Sequence, residues 1–313
     1  MSIEITTAFV KQYSANVFHL SQQKGSKLQG TVRNESQNSE SKFFERIGSV
    51  DAQLKTGRHS LVSYSDTPHS RRRVTLADYY HADLVDEEDK IRMLISPESP
   101  YAQAAMWALG RSKDDVIISA ALGNAYAGKE GATAVVLPNS QKVAAFDGTT
   151  TTGVNLNVKT LRKVKEKFDA NDIDESIKRN FAIGSSQLQS LLGETEVTSS
   201  DYASIKALVM GEVNTFMGFY FVRLERLPKA AADVTYTVTN GAVGAGTGTI
   251  TAANSRRCFA WAQDGVLLST GKEITAKISE LPDRHYAKQV YAKMGIGAVR
   301  MEEEKVVEVI CSE

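Results

Sequence analysis

Cysteine is the scarcest chemistry in this chain: of 313 residues only Cys258 and Cys311 carry a thiol. Two thiols so far apart in sequence make neither a zinc knuckle nor a secreted disulfide framework, so a reducing compartment is the expectation. Long apolar runs are missing too. No stretch approaches the roughly 18 consecutive apolar residues of a membrane helix, and the opening MSIEITTAFVKQYSANVFHL lacks the basic start and apolar core of a secretion signal. The five histidines, His19, His59, His69, His81 and His285, show neither metal-ligand spacing nor catalytic pairing. No catalytic residue, metal ligand or cofactor is therefore named. Net charge is also lacking: 37 basic side chains balance 37 acidic ones, which leaves no global field to steer the chain to nucleic acid or an anionic membrane. Such neutrality suits a protein that packs against copies of itself.

What is present is apolar substance, 42% of residues, enough for two domains or one elaborated domain. The stretch Ser99–Tyr126 predicts one long helix, a spine of roughly 40 Å at 1.5 Å per residue. Ser99 is placed to cap it and Pro100 suits its first position. Ala104, Ala108, Ser112 and Ala120 with Leu109, Val116 and Leu122 give adjoining small and apolar stripes. Arg111, Lys113, Asp114 and Asp115 interrupt them as an exposed charged run.

Around the spine the pattern is mixed. Residues 1–45 are polar and read as an arm that needs a partner surface, with an apolar cluster at Phe9, Val10, Tyr13, Val17, Phe18 and Leu20. Leu61–Tyr64 and Val74–Leu76 read as strands about a turn at Asp66, Thr67 and Pro68, a projecting hairpin marginal by itself. An acidic segment follows at Asp83, Asp86, Glu87, Glu88 and Asp89. Past the spine, GKEGATAVVLP and KVAAF read as short strands and Val158–Phe168 as a basic amphipathic helix. Phe181–Gly184 predicts a strand, Gln187–Leu192 a helical turn, and Tyr202–Val209 a helix stopped by Gly211. Val213–Phe216, Phe219–Leu224, Cys258–Leu268 and the final VVEVICSE have strand composition. TYTVTNGAVGAGTGTITAAN predicts two strands about a flexible loop bearing Gly241, Gly244, Gly246 and Gly248. The class is α+β.

Two motifs invite chemistry. Gly123 to Lys129 has the spacing of a phosphate-binding loop, but Glu130 stands where a Ser or Thr would hold magnesium, and a helix precedes it where a strand is required. A glycine-terminated helix end is the better reading. Arg71, Arg72 and Arg73 are the densest positive charge. Phosphates would suit them, yet no aromatics are interleaved for base stacking, and the acidic run nearby favours ion pairing with another copy. Arg71, Arg72, Arg73, Asp86, Glu87, Asp89, Arg111, Asp114 and Asp115 are accordingly the expected intersubunit contacts.

The ordered set then becomes familiar. Asp66-Thr-Pro68, Arg72-Arg73, the segment from Asp86 to Asp89 and Ala108-Leu-Gly-Arg-Ser-Lys-Asp-Asp115 resemble the arm-to-spine region of one branch of the major capsid proteins of tailed bacteriophages, which have the Hong Kong 97-like fold. Gly211 to Gly218-Phe219, ending at Arg226-Leu-Pro228, resembles that family's glycine-punctuated strand pair, and Gly297-Ala-Val-Arg300 with Val306 to Cys311 its final strands. The resemblance covers about residues 60 to 313. It implies an N-terminal arm over 1–45, an extended hairpin loop over 46–92, a peripheral domain with the spine over 93–177 and 286–313, and an axial domain over 178–285. It further implies a non-enzymatic shell protein that assembles as pentamers and hexamers in the host cytoplasm and ends in the virion, around double-stranded DNA bound without sequence specificity. A separate scaffolding protein is expected, since no room for a scaffolding segment precedes the arm, along with a portal and a decoration protein. Lysine–asparagine cross-links have no matching residues. A bacterial nanocompartment shell and a nucleotide-dependent enzyme using Gly123 to Lys129 are the alternatives.

Overall fold

The computed structural model describes residues 21–58, 61–62, 64–85, 98–146, 153–194, 215–229, 234–239, 242–243, 248–252 and 255–313. In chain order the strands and helices begin with β1 Arg33–Ser36, β2 Ser41–Ile47, β3 His69–Thr75, β4 Ala77–Val85 and α1 Glu98–Leu122. There follow β5 Ala125–Ala127, β6 Thr133–Val135, β7 Lys142–Ala144, α2 Val158–Ala170, β8 Arg179–Ile183 and α3 Ser185–Leu192. Then come β9 Thr215–Phe216, β10 Phe219–Arg223, β11 Val234–Thr239, β12 Ala242–Val243, β13 Gly248–Ala252 and β14 Arg256–Ala262. The chain finishes with β15 Val266–Leu281, β16 Ala287–Arg300 and β17 Val306–Cys311. Two compact units take the described residues, the smaller from Met1–Ser26, Ala77–Lys113 and Lys272–Ile296, the larger from Lys27–Leu76, Asp114–Gly271 and Gly297–Glu313.

In the smaller unit β4 runs antiparallel to β16, with Ala77 opposite Ile296 and Val85 opposite Lys288. Residues 22–25 lie along the first part of α1, where a side chain at Gly110 would run into the backbone of Gly25. Glycine is what permits that approach.

A nine-stranded mixed sheet organises the larger unit, in the order β13-β11-β12-β7-β17-β14-β8-β10-β9. Its central strands, RNFAI, RRCFAWA and VVEVIC, are buried almost without interruption because both faces are covered, so apolar side chains fill both sides of each strand, with Arg179, Asn180, Arg256 and Glu308 buried among them. α2 contributes Val158, Leu161, Val164 and Phe168 to the core at helical spacing, and Asn157 caps it by accepting the Thr160 N–H at 2.8 Å. Phe168 and Phe181 both meet the Phe219 ring edge-on, at 5.7 and 5.9 Å.

Three expectations are corrected. The spine stops at Leu122 instead of Tyr126, where the Gly123 N–H closes on the Ser119 carbonyl at 2.8 Å and Tyr126 enters β5. At its other end the helix already includes Glu98, so Ser99 lies within the first turn and not ahead of it. The hairpin pairs β2 with β3, Ser41 opposite Thr75 and Ile47 opposite His69, while no described residue of 61–64 is in a strand. Burial sets this register: Phe44 and Val74 share a small core with Ala125, Leu267, Val299 and Met301. Residues 27–45, expected in an arm that needs a partner surface, are built into the larger unit, with Leu28 and Val32 in its main core. The helix expected over Tyr202–Val209 falls outside the described residues.

One buried side chain ties these parts together. Arg300 is fully buried, and its guanidinium donates to the carbonyls of Ala121 at 3.0 Å, Gly123 at 2.7 Å and Val135 at 2.9 Å. It thereby satisfies the open end of α1 and holds β6 beside it. Arg300→Met should cost about 3 kcal/mol or more, because three carbonyls lose a charged donor. Arg300→Lys should recover only part, since an ammonium cannot reproduce the planar fork. Denaturant titration of the soluble subunit checks both, and an unchanged midpoint for the Met variant would refute the assignment.

Candidate intersubunit surface

β3 alternates, and this divides the arginine triplet. Arg72 and Val74 point inward, whereas Arg71 and Arg73 sit on the opposite side, half-exposed. Arg72, 2% exposed, donates to both oxygens of Glu303 at 2.6 and 2.7 Å. The same carboxylate lies 3.7 Å from Arg46 and 3.6 Å from Arg300, so three arginines gather about one glutamate. Burial lowers the pKa of both Arg72 and Arg300, and the charge of Glu303 is the largest influence opposing it. Arg71 faces Glu45 across the hairpin at 3.2 Å, with its guanidinium 5.7 Å from the Phe43 ring centre, and Arg73 lies over Tyr126 at 5.6 Å. Arg72 is therefore an internal residue, and only Arg71 and Arg73 remain on offer to a neighbour.

The spine charges are largely used internally as well. Asp114 is fully buried and accepts the backbone N–H of Leu28 at 3.1 Å and that of Lys27 at 3.1 Å. Asp115 accepts from Nε of Arg226 at 2.8 Å and from its Nη2, a bidentate pair that raises the arginine's pKa. Arg111 donates to the Gln22 side chain at 3.0 Å and the Gln23 carbonyl at 3.1 Å. Asp86, Glu87 and Asp89, with Gly241, Gly244 and Gly246, lie outside the described residues, and Gly248 opens β13 opposite Val238. Gly123 to Lys129 does not form a phosphate cradle: α1 precedes it, Ala125–Ala127 is a strand, and Gly128 and Gly131 turn the chain into β6 with φ of 90° and 63°.

The residues that composition did not flag are apolar. The connection between β2 and β3 carries Val50, Leu54, Leu61, Val62 and Tyr64 in the open, Leu61 99% exposed, Tyr64 92% and Leu54 89%. Ile47, at the end of β2, joins them. Single exposed leucines are ordinary, but this many in one segment need a cover. The available signal was apolar residues with neither helical nor strand periodicity between two elements. Among the described residues no group of three His, Cys, Asp or Glu could hold a metal, and no helix is long and apolar enough to cross a membrane.

A second charged cluster ties Glu313, just past β17, to β14 and α3. Arg256 pairs with Glu225 at 2.8 Å and with Glu313, which also receives Lys229 and, at 3.2 Å, the Gln187 amide. Burial opposes the charge on Glu225 and Glu313, yet hydrogen bonds from Ser185, Lys229, Gln187 and Arg256, with the arginine's charge, outweigh it and hold both carboxyls below their usual range.

Among the described residues the apolar connection of the hairpin finds no cover. The chain belongs to the phage capsid protein family, which matches residues 5–313. Solved structures agree on the fold. The capsid of cyanophage P-SCSP1u aligns with a TM-score of 0.71 at 15% identity, covering 99% of this chain and 94% of that one. For Ralstonia phage GP4 the values are 0.72 and 8%, with 97% and 95% covered. For Helicobacter pylori bacteriophage KHP30 they are 0.70 and 11%, with 99% and 97% covered. No curated protein matches the chain. It is a phage capsid protein, and the nanocompartment and nucleotide-enzyme alternatives are not favoured.

Reversing all three arginines therefore tests two things at once. Arg72→Glu alone should destabilise the subunit by about 3–5 kcal/mol, since it sets a carboxylate against Glu303 in the interior, whereas Arg71→Glu with Arg73→Glu should change subunit stability by about 1 kcal/mol or less and act on assembly. Melting curves and particle yields separate these outcomes. For the second cluster, depressed carboxyls contribute stability that is present above the unfolded-state value near 4.3 and lost as pH falls through the folded value. The melting temperature should drop on acidification below about pH 4.5, and Glu225→Gln with Glu313→Gln should flatten that drop; identical pH profiles would refute the role.

Proposed function

We propose that the subunit closes an icosahedral shell of pentamers and hexamers around double-stranded DNA, in the Hong Kong 97-like manner. The observation that carries this reading is the connection at 48–68, whose apolar side chains gain cover only on a neighbouring copy. Burying each of Leu54, Leu61 and Tyr64 contributes about 1.5–3 kcal/mol, and every subunit repeats the contact, so individually weak docking suffices. Arg71 and Arg73 beside the connection, and the acidic segment Asp86, Glu87 and Asp89, supply the oriented ionic part of that contact. Residues before Lys27 act as the arm, 93–177 with 286–313 form the peripheral lobe around the spine, and 178–285 form the axial lobe. The glycines from Gly241 to Gly248 let one sequence serve both ring sizes. Assembly takes place in the host cytoplasm with a separate scaffolding protein, a portal and a decoration protein. The work is assembly, with no chemical turnover.

Negative-stain microscopy tests the reading. Expressed with its scaffold, the chain should give closed shells, and Leu54→Ser with Leu61→Ser and Tyr64→Ser should give folded subunits that do not close them. Shells at normal yield from the triple variant would overturn the proposed contact.

A further inference from the structure

Beside the base of the hairpin, where the Gly48 N–H meets the Pro68 carbonyl at 2.8 Å, the larger unit has an open cavity of about 590 Å³. Ile47, Ile173 and Ile177 give it apolar wall. Its charges divide into committed and open ones. Arg46 donates to the Ser70 hydroxyl at 2.8 Å and lies 3.7 Å from Glu303, and Lys305 pairs with Glu302 at 3.1 Å. The carboxylates of Asp172 and Glu304, both exposed, have no hydrogen-bond or ion-pair partner among the described residues, and Asp174 is engaged by Ser176 alone. The uncommitted charge of the cavity is therefore negative. Among the described residues no three acids, histidines or cysteines are grouped to hold a metal, so these carboxylates are spaced to meet separate cations instead of sharing one ion. The connection between β2 and β3 has the opposite character. From Ala52 to Ser65 its only fixed charges are Lys55 and Arg58, both exposed and without a partner among the described residues. They are set among Leu54, Leu61 and Tyr64, which stand open to water.

We propose that the connection of one copy seats in this cavity of the next, with Lys55 and Arg58 against Asp174 and Glu304, and Leu54 and Leu61 against Ile47 and Ile177. The inference deepens the assembly reading above and rests on it. Cations on the connection and acids at the hairpin base make the contact heterologous, so it passes from copy to copy and closes a ring where the rotation allows. A chain of zero net charge can recognise itself in this way because the two signs lie on different surfaces. The apolar side chains supply the affinity on burial, and the charge pairs set which way round the neighbours sit.

Two experiments on the full-length subunit test this. Lys55→Glu with Arg58→Glu, and separately Asp174→Lys with Glu304→Lys, should each raise the protein concentration needed for assembly by about tenfold, because like charges then face each other across the contact. Melting curves should stay close to wild type, since all four side chains are exposed. The four changes together restore the pairing with its signs exchanged and should return that concentration to within about threefold of wild type. Lys272→Glu with Lys277→Glu, an equal charge change at exposed positions of β15, should shift it by less than about twofold. In the second experiment, soluble subunits carrying only Arg58→Cys are mixed under mild oxidation with size-tagged subunits carrying only Asp174→Cys. Mixed dimers joined by a reducible bond should outnumber like dimers, while Cys258 and Cys311, both buried, stay out of the reaction. No recovery in the fourfold variant overturns the proposal, as do like dimers in equal yield. A chain carrying both Arg58→Cys and Asp174→Cys that closes only on itself overturns it too, by placing the connection in its own cavity. Wild-type subunits that form no shell count against the assembly reading, whereas the thiol experiment is read in solution and decides the contact without shells.

Discussion

The subunit body depends on a single carboxylate with three arginines around it. Glu303 receives Arg72 in bidentate fashion and lies within reach of Arg46 and Arg300, and Arg300 in turn holds the carbonyls that end α1. Removing charges from water is expensive, and here the cost is offset by the bidentate pair of Arg72 with Glu303 and by the three carbonyls that Arg300 reaches through its Nη atoms. These contacts fix the hairpin strand β3, the end of the spine and the turn after β16 to one another. A lysine at any of these positions would bring a charge but not the fork.

The neighbouring charges follow the same logic. Asp114 lies on the spine yet serves as acceptor for two backbone N–H groups at Lys27 and Leu28, which seats the incoming chain against the helix. Asp115, one residue on, points a different way and pairs with Arg226. Adjacent residues of one charge thus do different work because a helix turns about 100° per residue, and adjacent arginines do so because a strand turns 180°.

The body completes its own core, while the hairpin connection does not. Trp261 and Phe168, Phe181, Phe219 and Phe259 are fully buried in the larger unit. The apolar side chains from Val50 to Tyr64 are left to water. In the proposed assembly, covering that connection on a neighbouring copy supplies free energy.

From the sequence alone came the α+β class, the spine helix, strands placed at 181–184, 219–224, 258–268 and in the final VVEVICSE, and the reading of Gly123 as a helix end, because periodicity, β-branched runs and glycine act locally; the structure breaks 258–268 into β14 and β15 with a 3-10 turn at Gln263–Gly265. The ordered motifs also pointed to the capsid family. The hairpin register was not legible: β2, SKFFERI, looks like part of a polar arm until Phe44 is seen to share a core with Val299 and Met301, more than 250 residues away. Nor was the fate of the arginines, since alternation says that Arg72 differs from its neighbours but not which side is inside. Cys258 and Cys311, distant in sequence, end up on the adjacent strands β14 and β17, where a hydrogen bond between them and burial raise the Cys311 thiol well above its ordinary pKa. Local pattern determined what the elements are; which of them meet, and which charges are consumed in meeting, was decided by long-range burial that no window of sequence contains.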